Sequence, residues 1–557
     1  MPPLLSAKTV MLLFLLSTSV MGRNHPTLAW LDTNRITLRA LDAPLKRAFY
    51  TQDSRIPLGS LWKLFVYVYL DDTHAHESPY RCSGAPNLQK EEQYCCTQGE
   101  SIERDSALSH SCSLYFQPQR LGIDPLVWRD YWQTHAPNAP WLHTLSNLQP
   151  DTRISIHDLL YALNTIPPHK RLHAKKAMLE TAISGYGRES LPYLGSGIRY
   201  KTYSWHDETG EALGGAAGWL GDGRPFWFGA KGSSFNALKR WGATLATTLP
   251  PLTITHLPPE STCVKVHFFG EYPLQNVSQG GKSITTGELQ GTYHLQFFNG
   301  NGLTLHTHGG MYLHQNGTQG YLLRGTLGLN NYIARVIDRE ANTTYPQATQ
   351  AFAIAARTYL FQNGHYQKGC WNIIDSTKTQ RVSPNTPSRA AVEAALFTDD
   401  MILKGPPIYY HGTHESDNTL SWENATIQAQ KGWSFEQILI HAYPKSSLET
   451  ITQRTACVRL FEAEAWLKNT IPRWSRTLSR EKGYEPLDQN PIVCSLPNGN
   501  PYSDQSRLRI YARQGVGLND RLTLTHEYLH LAFRFHPNGA NEAYTEHLAR
   551  HLIGVTP

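Results

Sequence analysis

The sequence predicts a multidomain α+β protein, and three features of the chain lead to this fold class. Its 557 residues are enough for three or four domains of ordinary size. Alternating apolar runs with Gly/Asn turns predict strands over 262–326, and apolar residues at helical spacing predict helices over 328–340 and 346–361. A Pro/Thr-rich stretch at 247–253 has the composition of a linker. We therefore expect three domains, covering 27–247, 262–452 and 453–557, the last of them mainly helical.

Composition and charge restrict the functions that this chain can have. Apolar residues make up 40% of the chain and charged residues 17%, which is typical of folded domains with buried cores. The formal net charge is only +6, and Lys and Arg form no dense run, so we do not expect nucleic acid as a partner. The small positive charge suits an anionic partner such as a membrane or a cell-wall polymer.

The first 22 residues have the pattern of a cleavable signal peptide. Lys8 is followed by an apolar run at 10–16 and by small residues up to Gly22. This run is shorter than the roughly 20 apolar residues that span a bilayer, and no later segment is long enough. We therefore expect a periplasmic or secreted protein with no transmembrane anchor after signal cleavage. The alternative is a buried helix of the first domain.

Eight cysteines fit a protein that folds in an oxidising compartment. They fall into three groups, and pairing within each group is the simplest prediction. Free buried thiols are the alternative, and the chain has no CxxC pair that would suggest a cysteine zinc site. The groups are Cys82, Cys95, Cys96 and Cys112, then Cys263 and Cys370, then Cys457 and Cys494.

A Ser-x-x-Lys pair precedes an apolar helical run in the first domain. Ser60 and Lys63 are three residues apart, so a helix places them on one face. A desolvated Lys loses its proton more readily and can then activate a neighbouring hydroxyl. An ordinary surface Ser and Lys are the alternative interpretation.

Later motifs in this domain strengthen the Ser-x-x-Lys signal. Ser111 begins a Ser-Cys-Ser segment, and Lys201 begins Lys-Thr-Tyr. The order and spacing resemble those of the penicillin-binding transpeptidase and serine β-lactamase superfamily, whose motifs are Ser-x-x-Lys, Ser-x-Asn and Lys-Thr-Gly. The resemblance implies a penicillin-binding-like α/β domain with Ser60 as nucleophile and Lys63 as its base. Ser111 and Lys201 would then relay protons and bind a substrate carboxylate.

Two positions depart from that superfamily pattern. Ser113 replaces the Asn that holds the substrate amide, and Tyr203 replaces the Gly that lets a strand approach the ligand closely. We expect Tyr203 to crowd the ligand edge and to prevent acylation.

Three segments of the middle domain form an ordered set of motifs, with Asp375 and Gln380 between them. The segments are 327–340, 345–359 and 431–439. Their order resembles that of the SpoIID/LytB family, whose members cut peptidoglycan glycan strands as lytic transglycosylases or modulate such cleavage. The resemblance implies that Glu340, at the end of the first helix, is the catalytic acid.

The residues around Glu340 are consistent with an acid role. Tyr332, Ile333 and Val336 form one apolar face of the preceding helix, and Pro346 suits the first turn of the next. Burial at this helix–helix junction would raise the carboxyl pKa, and a carboxyl with a raised pKa can protonate a glycosidic oxygen. The alternative is a surface Glu at a helix end.

The last domain contains an HExxH motif within a helical pattern. His526 and His530, at positions i and i+4, face one way and can hold one Zn²⁺ ion, while Glu527 would activate a water molecule. The next helix carries Asn-Glu-Ala-Tyr-Thr-Glu, which resembles the corresponding motif of gluzincin metallopeptidases and implies Glu542 as third ligand. Glu546, one turn later, would orient a ligating His. A helix with two solvated His is the alternative.

His536 competes with Glu542 for the third ligand position. His530 and His536 have metzincin spacing, but Phe533 replaces the Gly that would turn the chain. A continuing helix would point His536 away from the metal, whereas the Pro-Asn-Gly at 537–539 lets the next helix fold back. We therefore prefer Glu542.

Taken whole, the chain resembles a family of exported bacterial proteins of unknown function that end in a domain carrying HEYLH. We expect a hydrolase that remodels peptidoglycan, with a zinc metallopeptidase site and a lytic transglycosylase site. Its expected partners are peptidoglycan or another cell-wall polymer and other cell-envelope proteins. One alternative is a non-catalytic cell-wall scaffold built from degenerate enzyme domains, and another is a secreted zinc protease that acts on proteins.

Overall fold

The fold is known from a computed structural model that describes most of residues 25–554. The predicted signal peptide at 1–22 lies outside the described residues, as do Cys95, Cys96 and Cys457. The described ranges are 25–42, 50–73, 77, 80–82, 101–185, 187–206, 210–251, 262–367, 370–413, 418–451, 460–487, 490–496, 501–505, 508–513, 515 and 517–554.

The chain divides into two compact units, Met1–Pro258 and Pro259–Pro557. The first predicted domain lies in the first unit, and the other two predicted domains lie together in the second. The separation of 262–452 from 453–557 therefore stays a prediction.

The described part of the first unit contains a five-stranded antiparallel sheet in the order β2-β1-β9-β8-β7. Two short two-stranded sheets, β3-β6 and β4-β5, accompany it. The strands are Thr27–Asp32 (β1), Arg35–Ala40 (β2), Arg55–Pro57 (β3), Tyr80–Arg81 (β4), Ser101–Ile102 (β5), Arg153–Ser155 (β6), Ile198–His206 (β7), Ala212–Leu220 (β8) and Pro225–Lys231 (β9).

Helices pack on this sheet and form a second layer beside it. The described helices of the unit are Trp62–Asp72 (α1), Arg104–Ser109 (α2), Pro118–Leu121 (α3), Pro125–His135 (α4), Ile156–Thr165 (α5), Leu172–Ile183 (α6), Leu191–Leu194 (α7) and Ser234–Thr248 (α8).

Helix α1 is the central helix of this layer. All residues from Trp62 to Leu70 are buried, which is the pattern of a helix enclosed on every side. Phe65 makes edge-to-face contacts with Trp132 and Trp141. This enclosure fixes the start of α1, where the Ser-x-x-Lys motif lies.

The second unit is built on an eight-stranded sheet in the order β12-β11-β13-β14-β15-β10-β17-β16. Most neighbours are antiparallel, but β10 and β17 are parallel. The strands are Cys263–Phe268 (β10), Leu274–Gln279 (β11), Lys282–Ser283 (β12), Gly287–Phe297 (β13), Gly302–Gln315 (β14), Tyr321–Gly328 (β15), His365–Gln367 (β16) and Cys370–Ile374 (β17).

Two helices connect β15 to β16, as the sequence predicted. They are Leu329–Glu340 (α9) and Pro346–Asn363 (α10), and Pro346 occupies the first turn of α10. Helix α10 is almost wholly buried because further helices and short strands pack around it. These elements are Arg389–Phe397 (α11), Met401–Lys404 (β18), Tyr409–His411 (β19), Thr419–Ser421 (β20), Trp422–Gln430 (α12), Phe435–Ala442 (α13) and Ser447–Thr450 (β21).

A disulfide joins Cys263, the first residue of β10, to Cys370, the first residue of β17. The pairing predicted for the middle group of cysteines is therefore confirmed. Cys82, Cys112 and Cys494 are also disulfide-bonded. The predicted Cys457–Cys494 pair lies outside the described residues because Cys457 is among those not described.

The C-terminal part is mainly helical, but it also contains a small sheet that the sequence analysis did not predict. The sheet has the order β22-β24-β23, with β22 parallel and β23 antiparallel to β24. Its three- and four-residue strands are too short for a clear alternating pattern. The elements are Phe461–Leu478 (α14), Ile492–Ser495 (β22), Tyr502–Asp504 (β23), Arg509–Ala512 (β24), Leu518–Ala532 (α15) and Glu542–Ile553 (α16).

Candidate active sites

The first candidate site lies where α1 begins. Ser60 is in a short 3₁₀ turn at Gly59–Leu61, directly before α1. Lys63 is only 2% exposed, and its Nζ donates to Ser60 Oγ at 3.1 Å. It also donates to the carbonyl oxygen and Oγ of Ser111, at 2.6 and 3.2 Å. The structure thus brings three of the four predicted residues of this site together.

Ser111 adopts a backbone conformation that is uncommon for a residue other than glycine. Its φ is 62°, in the left-handed region, where a Cβ is crowded by the backbone. In this conformation both its carbonyl oxygen and its hydroxyl reach the Lys63 ammonium group.

Lys201 is the fourth predicted residue of the serine site and lies on β7. Its side chain is fully buried, and its Nζ donates to the carbonyl oxygen of Thr202 at 3.0 Å. Burial, with a smaller contribution from the charge of Lys63, lowers the Lys201 pKa well below its usual value. A lysine whose pKa is lowered loses its charge more readily, which weakens the carboxylate-binding role that the superfamily pattern assigns to Lys201.

Tyr203, which we expect to crowd the ligand edge, lies beside the residue that precedes Ser60. It is only 3% exposed, and its hydroxyl donates to the carbonyl oxygen of Phe228 at 3.4 Å. A methyl group built on Gly59, the residue before Ser60, would lie 3.1 Å from the Tyr203 Cβ. The ring therefore packs directly against the backbone that carries Ser60.

We expect that a fluorescent penicillin will not label the protein covalently, because the buried Tyr203 ring packs against Gly59, next to Ser60, and should crowd a ligand there. In-gel fluorescence of wild type, Ser60→Ala and Tyr203→Gly would measure labelling. If the Tyr203→Gly variant is labelled and the Tyr203→Gly/Ser60→Ala double variant is not, crowding by Tyr203 alone prevents acylation of Ser60. Labelling of the wild type that Ser60→Ala abolishes would contradict the expectation.

The second candidate site surrounds the Glu340 carboxyl at the end of α9. Its Oε1 accepts the backbone N–H of Arg381 at 2.7 Å. Its Oε2 is buried, and no group in the described residues hydrogen-bonds to it. Burial raises the Glu340 pKa to about 7, although the Arg381 N–H, the nearby Tyr410 hydroxyl and the Arg381 charge oppose the shift. A substantial fraction of this carboxyl is protonated at neutral pH.

A buried hydrogen-bond network adjoins Glu340. Tyr332 donates its hydroxyl to Gln380 Oε1. Gln380 Nε2 donates to the Tyr410 hydroxyl at 2.8 Å and to the carbonyl oxygen of Ala356 at 3.0 Å. The oxygen and the nitrogen of the Gln380 side-chain amide are both hydrogen-bonded, and the network holds the Tyr410 hydroxyl near Glu340. Gln380, which the sequence analysis noted, is therefore a supporting residue of this site.

Asp375, the other residue noted in that motif, fixes the adjacent loop. Its carboxylate accepts the backbone N–H groups of Phe269, at 3.1 Å, and Val382, at 3.0 Å. Asp375 and Arg381, together with aromatic and Asn residues, also line a cavity of about 420 Å³. Arg381 thus contacts both the Glu340 carboxyl and this cavity.

Sequence reasoning missed Tyr410 and Arg381 as members of the Glu340 site. Tyr410 is on β19, 70 positions after Glu340, and only the fold brings it near. Arg381 acts through its backbone N–H, which every non-proline residue carries. The neighbouring Gln380 was the one signal that could have pointed to both.

The third candidate site lies between α15 and α16. His526 and His530 face the same way on α15, and their Nε2 atoms are 3.0 Å apart. Glu542, the first residue of α16, places Oε2 at 3.0 Å from His526 Nε2 and 3.6 Å from His530 Nε2. The three predicted ligands therefore converge on one point.

The geometry of these three atoms fits a zinc ion. Zinc bound at about 2.0–2.1 Å by tetrahedral ligands requires ligand atoms about 3.3 Å apart. The observed separations of 3.0, 3.0 and 3.6 Å lie around that value. Two imidazoles and one carboxylate are also a donor set that zinc accepts.

Groups behind the two imidazoles hold them in place. His530 Nδ1 lies 2.6 Å from the carbonyl oxygen of Gly539, so this nitrogen carries the proton and Nε2 is free to ligate. His526 Nδ1 lies 3.2 Å from Glu546 Oε2, outside the angles of a good hydrogen bond. Arg550 Nε donates to the other Glu546 oxygen at 2.7 Å. Glu546 therefore lies beside His526 without a hydrogen bond to it, and the orienting role suggested for Glu546 stays a prediction.

The His536 side chain does not point toward His526 and His530. It caps the 3₁₀ turn at Pro537–Ala540, where its Nδ1 accepts the backbone N–H of Asn538 at 3.2 Å. Its ring packs so closely on Gly483 that any side chain there would clash with it. The turn then directs α16 back along α15, which brings Glu542 to the two imidazoles.

Glu527 lies beside the imidazole nitrogens of His526 and His530. Its side chain is buried, and one of its oxygens lies within 4.8 Å of the His526 and His530 nitrogens. Burial raises its pKa to about 7, while His530 and a hydrogen bond from Ser503 oppose the shift and Glu542 adds to it. Ser503 is on β23, so the unpredicted sheet borders this site.

Comparisons with known proteins identify the family. The chain is 42% identical over 503 residues to the "Uncharacterized protein YfaQ" of Escherichia coli strain K12, covering 89% of each chain. This chain belongs to the YfaQ family. Residues 87–209 and 418–538 match a family model described as "Predicted secreted protein (DUF2300)", and residues 318–404 match "Stage II sporulation protein", SpoIID.

These matches bear directly on two predictions made for this YfaQ relative. The prediction that the protein is exported is confirmed by the match to a family model described as a predicted secreted protein. The predicted SpoIID resemblance is also confirmed, and the matched range contains Glu340, Asp375 and Gln380. In the described part of the chain, no helix combines the length and apolar character needed to cross a membrane.

Several solved structures are similar to part of this chain. A class A β-lactamase representing the last common ancestor of Gram-negative bacteria is 14% identical, covers 40% of this chain and 93% of its own, and has a TM-score of 0.27. A β-lactamase from Desulfarculus baarsii is 14% identical, covers 41% and 93%, and has a TM-score of 0.28. The roles suggested for Ser60, Lys63, Ser111 and Lys201 stay predictions.

Proposed function

We propose that this secreted protein is a peptidoglycan-remodelling hydrolase whose main active centre is a zinc peptidase site. The observation that supports this proposal is the convergence of His526, His530 and Glu542, with ligand atoms 3.0–3.6 Å apart. The SpoIID match, in the same chain, supports a cell-wall substrate.

The chain's own residues account for the rest of the site. A zinc ion held by three protein ligands would supply a Lewis acid with one open position, which is the pattern of catalytic sites. Glu527 is buried next to that position and can take a proton from water and pass it to a leaving amine. The exposed carboxylate of Glu542 leaves the site open to a substrate from solvent.

Metal analysis tests the ligand set. We expect purified protein to contain one zinc ion per chain, and Glu542→Ala to lose most of it because two imidazoles alone bind zinc weakly. His536→Ala is the matched control and should keep its zinc, because His536 packs on Gly483. Elemental analysis after extensive dialysis would measure both.

The opposite pattern would replace the proposal. Zinc lost in His536→Ala and retained in Glu542→Ala would favour a metzincin-like ligand set. A protein that binds no zinc at all would support the scaffold alternative for this region.

We also propose glycan cleavage at Glu340 as a second activity. The observation that favours it is a buried carboxyl with a pKa of about 7 inside the range that matches SpoIID. Such a group can donate a proton to a glycosidic oxygen and later accept one from a hydroxyl of the same sugar. One carboxyl is then enough, because the sugar supplies its own nucleophile. Ordinary glycoside hydrolysis would need two carboxylates.

Digestion of purified sacculi separates the alternatives. A zinc peptidase acting on the wall releases peptides with new amino termini, and a lytic transglycosylase releases anhydro-muropeptides. A scaffold of degenerate domains would bind sacculi and release neither. A secreted protease would leave sacculi intact and cleave an unfolded protein such as casein.

A further inference from the structure

One face of the large sheet carries a groove of about 800 Å³, which we call the cationic groove. Its lining residues come mainly from strands β14, β15, β10, β17 and β16. Because side chains alternate along a strand, Lys265 and His267 share one face of the sheet, and the side chains of the buried Val264 and Val266 point to the other. The groove is separate from all three candidate sites.

The strand register arranges the groove side chains in two rows. In one row Tyr312 is opposite Arg324, and Arg324 is opposite His267. Arg324 Nε donates to His267 Nε2 at 2.7 Å, so the guanidinium is held flat on the sheet. In the adjacent row Thr326, Lys265 and Asn372 lie opposite one another. Neighbouring rows of one sheet face place Lys265 and Arg324 close together.

The groove is positively charged and partly apolar. Five of its lining residues are of basic types, and no acidic residue lines it in the described part of the chain. The positive charge comes from Lys265 and Arg324, because burial and the Arg324 charge lower the pKa of His267, which accepts the Arg324 N–H. Glu288 contacts the lining residue Tyr312, since its carboxylate accepts the hydroxyl of Tyr312 at 3.3 Å and the N–H of Gly310 at 2.9 Å. Tyr312 and Ile374 are 44% and 51% exposed. The basic residues are Lys265, His267, His314, Arg324 and His365.

The groove also lies next to the Glu340 site along the chain. Ile374 and Thr379 line the groove, and the residues that follow each of them, Asp375 and Gln380, belong to the surroundings of Glu340. Residues 375–378 therefore connect the groove lining to the surroundings of Glu340 along the chain.

We propose that the cationic groove binds the free carboxylates of peptidoglycan stem peptides and so anchors the polymer to the unit that carries Glu340. Lys265 and Arg324 match carboxylates in charge, and the exposed Tyr312 ring offers an apolar face to a sugar. The volume exceeds that of a small anion and suits a segment of polymer. The choice of polymer rests on the proposed function, whereas the anion-binding character does not.

Co-sedimentation with purified sacculi tests this proposal on the full mature chain. Glu340→Gln and Glu527→Gln together serve as the background, so that the polymer is not cut during the measurement. In this background, the double variant Lys265→Gln/Arg324→Gln should bind sacculi about tenfold more weakly. Added salt should weaken binding of the background protein more than binding of the double variant, because salt screens the charges that the double variant lacks. Both residues are exposed, so the double variant keeps its fold.

A matched control removes the same charge elsewhere. Lys282→Gln with Lys431→Gln lowers the net charge equally, at two exposed positions away from the groove, and should bind as the background protein does. Equal weakening by both double variants would overturn the proposal, because it would show a general effect of charge. Unchanged binding of the Lys265/Arg324 variant would also overturn it.

Two further ligands identify the anion. Glycan strands stripped of stem peptides by an amidase should bind the background protein about tenfold more weakly, and the Lys265/Arg324 variant should not distinguish stripped from intact glycan. Binding of vesicles containing lipopolysaccharide without binding of sacculi would assign the groove to phosphate and overturn the proposal. Because the background protein carries Glu340→Gln and Glu527→Gln, these binding results do not depend on whether the proposed cleavage activities exist.

Discussion

Glu527→Gln is expected to reduce peptide hydrolysis by about 10³-fold while the protein keeps its zinc. The amide has nearly the shape of the carboxylate and cannot take a proton from water. In the proposed ligand set Glu527 is not a ligand, because atoms of His526, His530 and Glu542 converge without it, although a Glu527 oxygen also lies within 4.8 Å of the two His nitrogens. Release of stem peptides from sacculi, with zinc measured on the same samples, would check both parts.

Two comparisons make this expectation specific. Glu462→Gln alters an exposed glutamate on α14 in the same part of the chain and should leave the rate unchanged. Chelation of the wild type should abolish hydrolysis without unfolding the chain. If Glu527→Gln loses zinc along with activity, Glu527 belongs to the ligand set and its role as a proton carrier is wrong.

Glu340→Gln is expected to stop release of anhydro-muropeptides, with a loss of about 10²- to 10⁴-fold. The amide keeps the hydrogen bond from the Arg381 N–H but cannot donate a proton to a glycosidic oxygen. Analysis of sacculus digests by chromatography and mass spectrometry would measure this activity. Glu393→Gln, at an exposed position on α11, is the control. A Glu340→Gln protein as active as wild type would exclude Glu340 as the acid.

The pH dependence of the Glu340 site provides a second measurement. The folded-state pKa of about 7 lies above the ordinary value of 4.5, so between these values the folded chain binds a proton that the unfolded chain lacks. This group's contribution to stability is therefore full below pH 4.5 and declines as the pH rises to about 7. Glu340→Gln should melt like wild type at pH 5 and at a higher temperature than wild type at pH 8. Glycan cleavage by the wild type should decline above about pH 7.

Local spacing was enough to predict the parts of each site that lie on one helix. His526 with His530, and Ser60 with Lys63, are held together by helical periodicity alone. Glu542 was predictable because a turn-forming Pro-Asn-Gly separates two helices of clear pattern. The motif order gave Ser111 and Lys201, but not the buried environment that lowers the Lys201 pKa.

Contacts between segments that are far apart in the sequence could not be predicted from the sequence. Tyr410 reaches Glu340 only because β19 packs on α10, and the parallel pairing of β10 with β17 spans more than 100 residues. Strands β22, β23 and β24 are too short for their pattern to distinguish them from loops. The two cations of the cationic groove, Lys265 and Arg324, come from different strands that lie far apart in the sequence, so no continuous stretch of sequence carries its charge.

The disulfide between Cys263 and Cys370 has a consequence for how the protein is produced in the laboratory. It closes a segment of 107 residues that includes α9, α10 and Glu340. In the reducing cytosol of an expression host this crosslink does not form, and closing a loop of that length is worth about 4–5 kcal/mol on chain-entropy grounds. Recombinant chain should therefore be directed to an oxidising compartment or refolded under a redox buffer, since a reduced preparation would underestimate every activity of this unit.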